Sequence, residues 1–194
     1  MGIAFVIGNG ISRQAVDLSV LKRRGTIYGC NALYRDFAPD VLVSTDTPIS
    51  ETIQNSGYAI KNSMYTRKPI PGLGASLIPQ PYFGYSSGPI ALALAADADH
   101  SVIYIIGFDM GPNEHGKFNN VYADTDFYKK SSSTPTYTGN WARQMASIMQ
   151  QHRKKNFIRV AGPTTAAVQE FTKISNLIHM PIADFLCCAE NNQL

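Results

Sequence analysis

The segment that decides the fold is Ile3–Gly10, which reads Ile-Ala-Phe-Val-Ile-Gly-Asn-Gly. Five consecutive apolar residues that end in a Gly-Asn-Gly turn are typical of a buried strand running into a tight turn. A second apolar run, Ser101–Ile106, ends in the same manner at Gly107-Phe108-Asp109. Both segments predict central strands of one sheet.

Further strands and helices are predicted to alternate along the chain. Three more apolar runs are predicted strands: Thr26–Cys30, Val41–Thr45 and Phe157–Val160. Helices are predicted from Ser12 as N-cap to Gly25, and over residues 48–54, 88–96 and 141–153. This alternation predicts an α/β, Rossmann-like fold with an open, mostly parallel sheet and helices on both faces. The 194 residues fit a single domain over residues 1–194.

Two stretches resist a regular assignment. Residues 58–65 are ambiguous, with a strand as the interpretation considered, and the Pro- and Gly-rich stretch 67–84 predicts a loop over a site. Residues 111–140 form a long polar segment, and a loop of that length inside a compact domain is usually functional or disordered.

The composition narrows the classes of function. Hydrophobic residues make up 44% and charged residues 16% of the chain, which excludes a charge-rich disordered protein. No apolar run reaches the roughly 18 residues of a membrane span. The net charge of +3 suits a small anionic ligand and does not predict nucleic acid as a partner. Three cysteines without metal-ligand spacing predict free thiols and a cytoplasmic protein.

Small polar residues follow four of the predicted strands. They are Asn9, Asn31, Asp46 and Asp109. Ligands of open α/β sheets bind outside the carboxyl ends of the strands, so these side chains are expected to meet at one ligand site.

The Gly8-Asn9-Gly10 turn begins like a dinucleotide fingerprint, but Arg13 stands where the third glycine belongs. The second strand also ends in Asn31 instead of a ribose-binding acid, which disfavours a nicotinamide cofactor. Glycines at a strand end still allow close approach of a nucleotide or phosphate to the backbone and to the next helix. An ordinary strand-to-helix turn is the alternative.

Candidate acid–base and metal groups are few. Among the four histidines, only His115 follows a strand end where it could face the site as a general base. Asp124-Thr125-Asp126 has the Asp-x-Asp form with which nucleotide-sugar transferases hold a divalent ion. Its position inside a polar segment favours two solvated carboxylates, so no metal is predicted.

Five short motifs occur in an order that resembles a known family. They are Gly-Asn-Gly at residue 8, CNALY at 30–34, SSGPIALALAA at 86–96, IYIIGFDM at 103–110 and a later tyrosine before a helix. Over residues 1–160, this order resembles the bacterial sialyltransferases of the Campylobacter lipo-oligosaccharide type. It is also similar to the Maf-type flagellin glycosyltransferase domain and to phage proteins with the same core.

The resemblance implies a CMP-sugar donor held without a metal. By position it implies that Gly8, Asn9, Gly10, Asn31, Ser87 and Gly88 contact the nucleotide. Tyr122 matches a family tyrosine that hydrogen-bonds the donor phosphate. The family's histidine base falls at Asn140, which cannot accept a proton, so His115 or Asp124 would have to replace it.

Two functions from different classes follow. The leading expectation is a glycosyltransferase-like protein that binds a nucleotide or nucleotide-sugar as substrate and transfers the sugar to a hydroxyl of a glycan or other acceptor. The alternative is a non-catalytic binding or structural protein, such as a phage component, that retains the fold. The sequence leaves a homo-oligomer open and predicts no separate cofactor.

Overall fold

A computed structural model describes residues 2–191, 193 and 194. Its eight strands form one open sheet in which every strand pairs with its neighbours in parallel. The strand order is β5-β4-β3-β2-β1-β6-β7-β8. The strands are β1 (Gly2–Ile7), β2 (Thr26–Cys30), β3 (Val41–Val43), β4 (Ser63–Thr66), β5 (Ser76–Leu77), β6 (His100–Ile106), β7 (Asn156–Ala161) and β8 (Leu177–Pro181). The predicted α/β, Rossmann-like fold is confirmed.

Six helices accompany the sheet in the described part of the chain. They are α1 (Leu18–Lys22), α2 (Thr47–Asn55), α3 (Tyr58–Lys61), α4 (Ser87–Asp97), α5 (Gly139–Gln151) and α6 (Ile182–Glu190). Short 3-10 turns lie at Ile11–Ala15, Asn31–Arg35, Tyr82–Gly84 and Gln169–Phe171. No helix within residues 2–191 has both the length and the apolar character needed to cross a membrane.

Successive residues of β1 point into two separate hydrophobic clusters. Ala4 and Val6 are buried against α4 and α5, whereas Phe5 and Ile7 are buried against the helices of the opposite face. Strand side chains alternate between faces, so an apolar run without polar interruptions is what a strand covered on both sides requires.

The first helix is shorter than predicted. Its N-cap is Asp17, whose side chain accepts a hydrogen bond from the Ser19 amide at 2.8 Å. Ser12 was expected to be the cap, but it lies in the preceding 3-10 turn, where its amide and hydroxyl donate to Asp109. A residue that caps a helix must offer its side-chain oxygen to that helix, and the Ser12 hydroxyl is used elsewhere.

The chain leaves the sheet centre twice in opposite directions. From β1 it proceeds outward to β5, and α4 then carries it back to β6 on the other side of β1. The turns that follow β1 and β6 lie so close together that a Cβ on Gly8 would overlap the main-chain carbonyl of Gly107. This pair of strands is the topological switch point, where α/β proteins bind their ligands.

Candidate functional site

A cavity of about 480 Å³ opens at the carboxyl ends of β1, β2, β3 and β6. Its volume lies within the roughly 300–1,000 Å³ that is usual for small-molecule sites. All eight predicted ligand-binding residues line it: Gly8, Asn9, Gly10, Asn31, Asp46, Ser87, Gly88 and Asp109. The structure therefore brings these residues together, although they differ in how many of their hydrogen-bonding groups are already used by the protein.

Asn31 is held in one orientation by two serines. Its Oδ1 accepts hydrogen bonds from the hydroxyls of Ser44 at 3.1 Å and Ser87 at 3.0 Å. Its backbone has a φ of 50°, a left-handed conformation that asparagine tolerates better than most residues. Within the described part of the chain Nδ2 donates to no protein atom, so the amide N–H groups are free for a ligand.

A relay of hydroxyls supports this orientation. The Thr45 amide donates to Ser87 Oγ at 3.0 Å, and the Thr45 hydroxyl lies 2.8 Å from the same atom. Because Ser87 gives its single proton to Asn31, the Thr45 hydroxyl must be the donor to Ser87. The buried pair Thr45 and Ser87 thus fixes which end of the Asn31 amide faces the cavity.

The N-terminus of α4 forms one wall of the cavity. Ser86, Ser87 and Gly88 line it, and the N–H groups of a helix's first turn have no partners inside the helix. The Ser86 amide already donates to Gln144 Oε1 at 3.0 Å. The amides of Ser87 and Gly88, together with the positive end of the helix dipole, favour an anion at this wall.

Arg67 and Lys129 add two cationic side chains to the lining. Arg67 donates through Nε to the Phe83 carbonyl at 2.8 Å and through Nη2 to the Tyr85 carbonyl at 2.6 Å. These bonds tie the loop that precedes α4 to the end of β4. The guanidinium therefore lies beside the α4 N-terminus and reinforces its preference for an anion.

Part of the long polar segment covers the cavity as an ordered strap over residues 118–129. Val121 N–H donates to the Asn9 carbonyl at 2.8 Å, and Ile11 N–H donates to Asn119 Oδ1 at 2.9 Å. The Tyr128 hydroxyl accepts from the Ala32 amide at 3.3 Å, and burial raises the pKa of this phenol. The strap is thus fastened to the turns that follow β1 and β2.

Asn9 lies on the cavity floor and is nine-tenths buried. Its Nδ2 donates to the Cys30 carbonyl at 3.2 Å, while its Oδ1 is buried and has no hydrogen-bond partner among the described residues. Burial raises the pKa of the adjacent Cys30 thiol to about 12, so this cysteine is an unreactive thiol at neutral pH.

Asp109 has a structural role in place of a free ligand-binding carboxylate. It is 3% exposed, and Oδ2 accepts from the Ser12 amide at 3.1 Å and the Thr164 hydroxyl at 2.7 Å. Oδ1 accepts from the Ser12 hydroxyl and from Thr165 Oγ1 at 3.3 Å. The sequence predicts that Asp109 contacts the ligand. In the structure its four hydrogen bonds join the end of β6 to the segments that follow β1 and β7.

Tyr122 lies outside the cavity lining, buried beside Arg13 and the exposed Asp36. Its hydroxyl donates to Asp36 Oδ2 at 2.6 Å and accepts from Arg13 Nη2 at 2.7 Å. Burial, followed by the hydrogen bond to Asp36, raises the pKa of Tyr122. Asp36 and Arg13 use both hydrogen-bonding functions of the Tyr122 hydroxyl, so the predicted contact with a donor phosphate would require the hydroxyl to release one of them.

The other predicted catalytic residues also lie outside the lining. The His115 side chain is 78% exposed and lies 3.5 Å from Glu114. Asn140 is the second residue of α5, and its Oδ1 accepts from Arg143 on the helix surface. The lining therefore includes none of His115, Tyr122 and Asn140, and sequence reasoning assigned catalysis to residues that the fold does not bring to the cavity.

Asp46 is the lining carboxylate with free oxygens. It is exposed at the N-cap position of α2, but its side chain makes no capping hydrogen bond.

The Asp-x-Asp motif lies away from the cavity. Asp124 accepts from Ser131 N–H at 3.1 Å, and neither Asp124 nor Asp126 lines the cavity. Among the described residues no three His, Cys, Asp or Glu side chains cluster as metal ligands do.

Sequence reasoning missed several lining residues, chiefly Phe108, Arg67, Tyr128, Lys129 and Trp141. The sequence could have indicated Phe108, since it lies between Gly107 and Asp109 just after the predicted strand β6. Arg67 directly follows β4, but the sequence does not assign residues 58–65 to a strand, so the strand-end rule does not select it. Tyr128 and Lys129 come from a loop and Trp141 from α5, and no strand-end rule locates these three. No protein-family model, curated protein or solved structure matches this chain.

Proposed function

We propose that this protein binds a nucleotide monophosphate group, as part of a CMP-linked or similar nucleotide-sugar, in the cavity at the switch point. The observation that carries the proposal is the fixed Asn31 amide beside the α4 N-terminus. Ser44 and Ser87 hold the amide oxygen, so its N–H groups are presented to the ligand at no further ordering cost.

The positions of the charges in the lining support an anionic ligand. The lining has two cations, Arg67 and Lys129, and two carboxylates, Asp46 and Asp109. The preference for an anion therefore rests on position: Arg67 donates to the Tyr85 carbonyl beside the α4 N-terminus, whereas Asp109 is engaged by Ser12, Thr164 and Thr165. Phe108 and Trp141 add aromatic surface on which a base can stack. A phosphate at the α4 N-terminus would leave room in a cavity of about 480 Å³ for a nucleoside or a sugar.

The proposed reaction is transfer of the sugar to an acceptor hydroxyl. Asp46 takes the hydroxyl proton as general base, and the acceptor oxygen bonds to the anomeric carbon. The bond from that carbon to the phosphate oxygen breaks, and the nucleoside monophosphate leaves with the bonding electrons. The Asn31 amide and the helix N–H groups stabilise the charge that develops on the leaving phosphate.

A non-catalytic binding protein is the second candidate, favoured by one observation. Within the described residues, no histidine lines the cavity, and the exposed Asp46 is the lining carboxylate with free oxygens. A transferase needs a positioned base, and the described part of the lining offers this exposed carboxylate alone. Binding without turnover would therefore favour this second function.

Binding is tested by the thermal shift that nucleotides cause. CMP at about 100 times its dissociation constant adds roughly 2.7 kcal/mol, which raises Tm by about 5–10 °C for a domain of this size. Asn31→Asp replaces the donating amide by a carboxylate of the same shape and is expected to abolish the shift. Asn55→Asp, on the exposed end of α2, adds the same charge away from the cavity and should retain it.

Each shift is measured against the Tm of the same variant without ligand, so a change in stability does not count as binding. CMP, UDP, GDP, ADP and inorganic phosphate are compared, with and without EDTA. Absence of a shift with every nucleotide would refute the binding proposal. Hydrolysis of a CMP-sugar that Asp46→Asn abolishes while CMP still binds would establish the transferase function over the binding protein.

A further inference from the structure

A second cavity, of about 590 Å³, lies between β7, β8 and residues 165–174. Its walls are mainly apolar, and they include Val168, Phe171, Ile174 and Leu177. Arg159 also lines this cavity, and its side chain is almost fully buried, with only 1% of its surface exposed. An apolar groove with one buried cation is an unusual combination, because arginine is seldom fully buried without a charged partner.

The Arg159 guanidinium is only partly satisfied by the protein. Nη1 donates to the Ala166 carbonyl at 3.0 Å, and Nη2 donates to the carbonyls of Phe108 at 2.8 Å and Asp109 at 3.4 Å. Nε is buried and has no acceptor among the described residues. The guanidinium carbon lies 5.3 Å from the centre of the Phe171 ring, which holds the plane of the group against an apolar wall.

No carboxylate neutralises Arg159 by direct contact in the described residues. Asp109 is close enough to raise the pKa of Arg159, but its oxygens accept from Ser12 and two threonines. Burial outweighs this effect and lowers the pKa of Arg159 to about 10, so the group is still charged at neutral pH. No acidic side chain of the described residues lines the second cavity.

We infer that the second cavity is a binding site for a monocarboxylate with a short hydrocarbon tail. The carboxylate would accept from the second N–H of Arg159 Nη1, whose first N–H donates to the Ala166 carbonyl at the cavity wall. The tail would lie along Val168, Phe171, Ile174 and Leu177. A free phosphate would satisfy the cation but would leave these apolar walls uncovered, whereas an alcohol would cover the walls but leave the cation unpaired. The site is separate from the nucleotide cavity and does not depend on its proposed function.

Hexanoate, acetate, hexanol and inorganic phosphate are the probes, and isothermal titration calorimetry measures their affinities for the full chain. Hexanoate is expected to bind at least about tenfold more tightly than acetate, because four more methylenes are buried. It should also exceed hexanol and phosphate by at least about tenfold, because only hexanoate provides both the charge and the tail. Equal binding of acetate or phosphate, or no saturation at about 10 mM hexanoate, would overturn the inference.

Three variants locate the hexanoate. Arg159→Met should remove binding, but it also removes three main-chain hydrogen bonds, so a second variant is needed. Ala167→Phe adds bulk to an exposed residue of the lining and should weaken hexanoate at least about tenfold while far-UV circular dichroism stays unchanged. Lys129→Met, in the first cavity, should leave the affinity unchanged. A loss in Lys129→Met without a loss in Ala167→Phe would place hexanoate in the first cavity and refute the inference.

Discussion

Replacing Asp109 tests whether its carboxylate is part of the scaffold. Four donors from Ser12, Thr164 and Thr165 meet its two oxygens, and the residue is 3% exposed, so water cannot take the place of a lost oxygen. A hydrogen bond to a charged group contributes about 1.5–3 kcal/mol, and the four are not additive. Because truncation also removes the desolvation cost of the carboxylate, Asp109→Ala should lower the free energy of unfolding by about 3–5 kcal/mol.

Urea unfolding followed by circular dichroism measures this loss. With a denaturant slope of roughly 2 kcal/mol per molar, the midpoint should fall by about 1.5–2.5 M. Asp109→Asn keeps one acceptor and should lose about 2–3 kcal/mol. The control is Glu114→Ala, whose side chain is 79% exposed and whose effect should stay within about 0.5 kcal/mol. A loss below about 1 kcal/mol for Asp109→Ala would refute the structural role.

Two further predictions concern a glycine and the buried tyrosines. Gly8→Ala should cost at least about 1–3 kcal/mol of unfolding free energy, because its Cβ would overlap the Gly107 carbonyl, whereas Gly84→Ala, which meets nothing within 4 Å, should be neutral in urea unfolding. The unfolding free energy should fall as pH rises above about 10, since burial raises the pKa of Tyr58 and of Tyr82 to about 12 and the folded state retains their protons longer. Tyr58→Phe removes one of these groups and should make the fall less steep in urea unfolding at about pH 9 to 11. The substitution is clean, because the Tyr58 hydroxyl has no hydrogen-bond partner to lose among the described residues. A fall as steep as in the parent protein would contradict the prediction.

The central strands could be predicted because each is an apolar run that ends in a turn. β1, β2 and β6 lie within two residues of their predicted bounds, since burial on both faces leaves no polar interruption. The edge strands β5 and β8 escaped prediction. β5 has two residues, both exposed, and β8 has an exposed Ile178 and ends in Pro181, so neither carries the signal of a buried strand.

The site could be predicted as far as strand ends determine it. The rule that ligands bind beyond the carboxyl ends of strands located Asn31 and Asp46 from the sequence. The same rule cannot find Tyr128 and Lys129, because the strap over residues 118–129 depends on contacts with distant turns. Nor does the sequence show that Arg13 and Asp36 engage Tyr122, since these residues are brought together only by the packing of the strap.

Asn31 follows β2 and Asp109 follows β6 at the same edge of the sheet, but their hydrogen bonds give them different roles. Both oxygens of Asp109 have protein donors, which leaves this side chain nothing to offer a ligand. Asn31 has its oxygen bound by protein and its nitrogen free, which is the condition of a group prepared for a ligand. Asn31 is half-buried, and a ligand that accepts from its unused N–H groups gains affinity from a hydrogen bond whose geometry is already set. Arg159 differs from Asn31, because its unpartnered Nε is buried. Its Nη2 donates to the main chain of Phe108 and Asp109, two residues that line the first cavity, so the two proposed sites meet at this stretch of backbone.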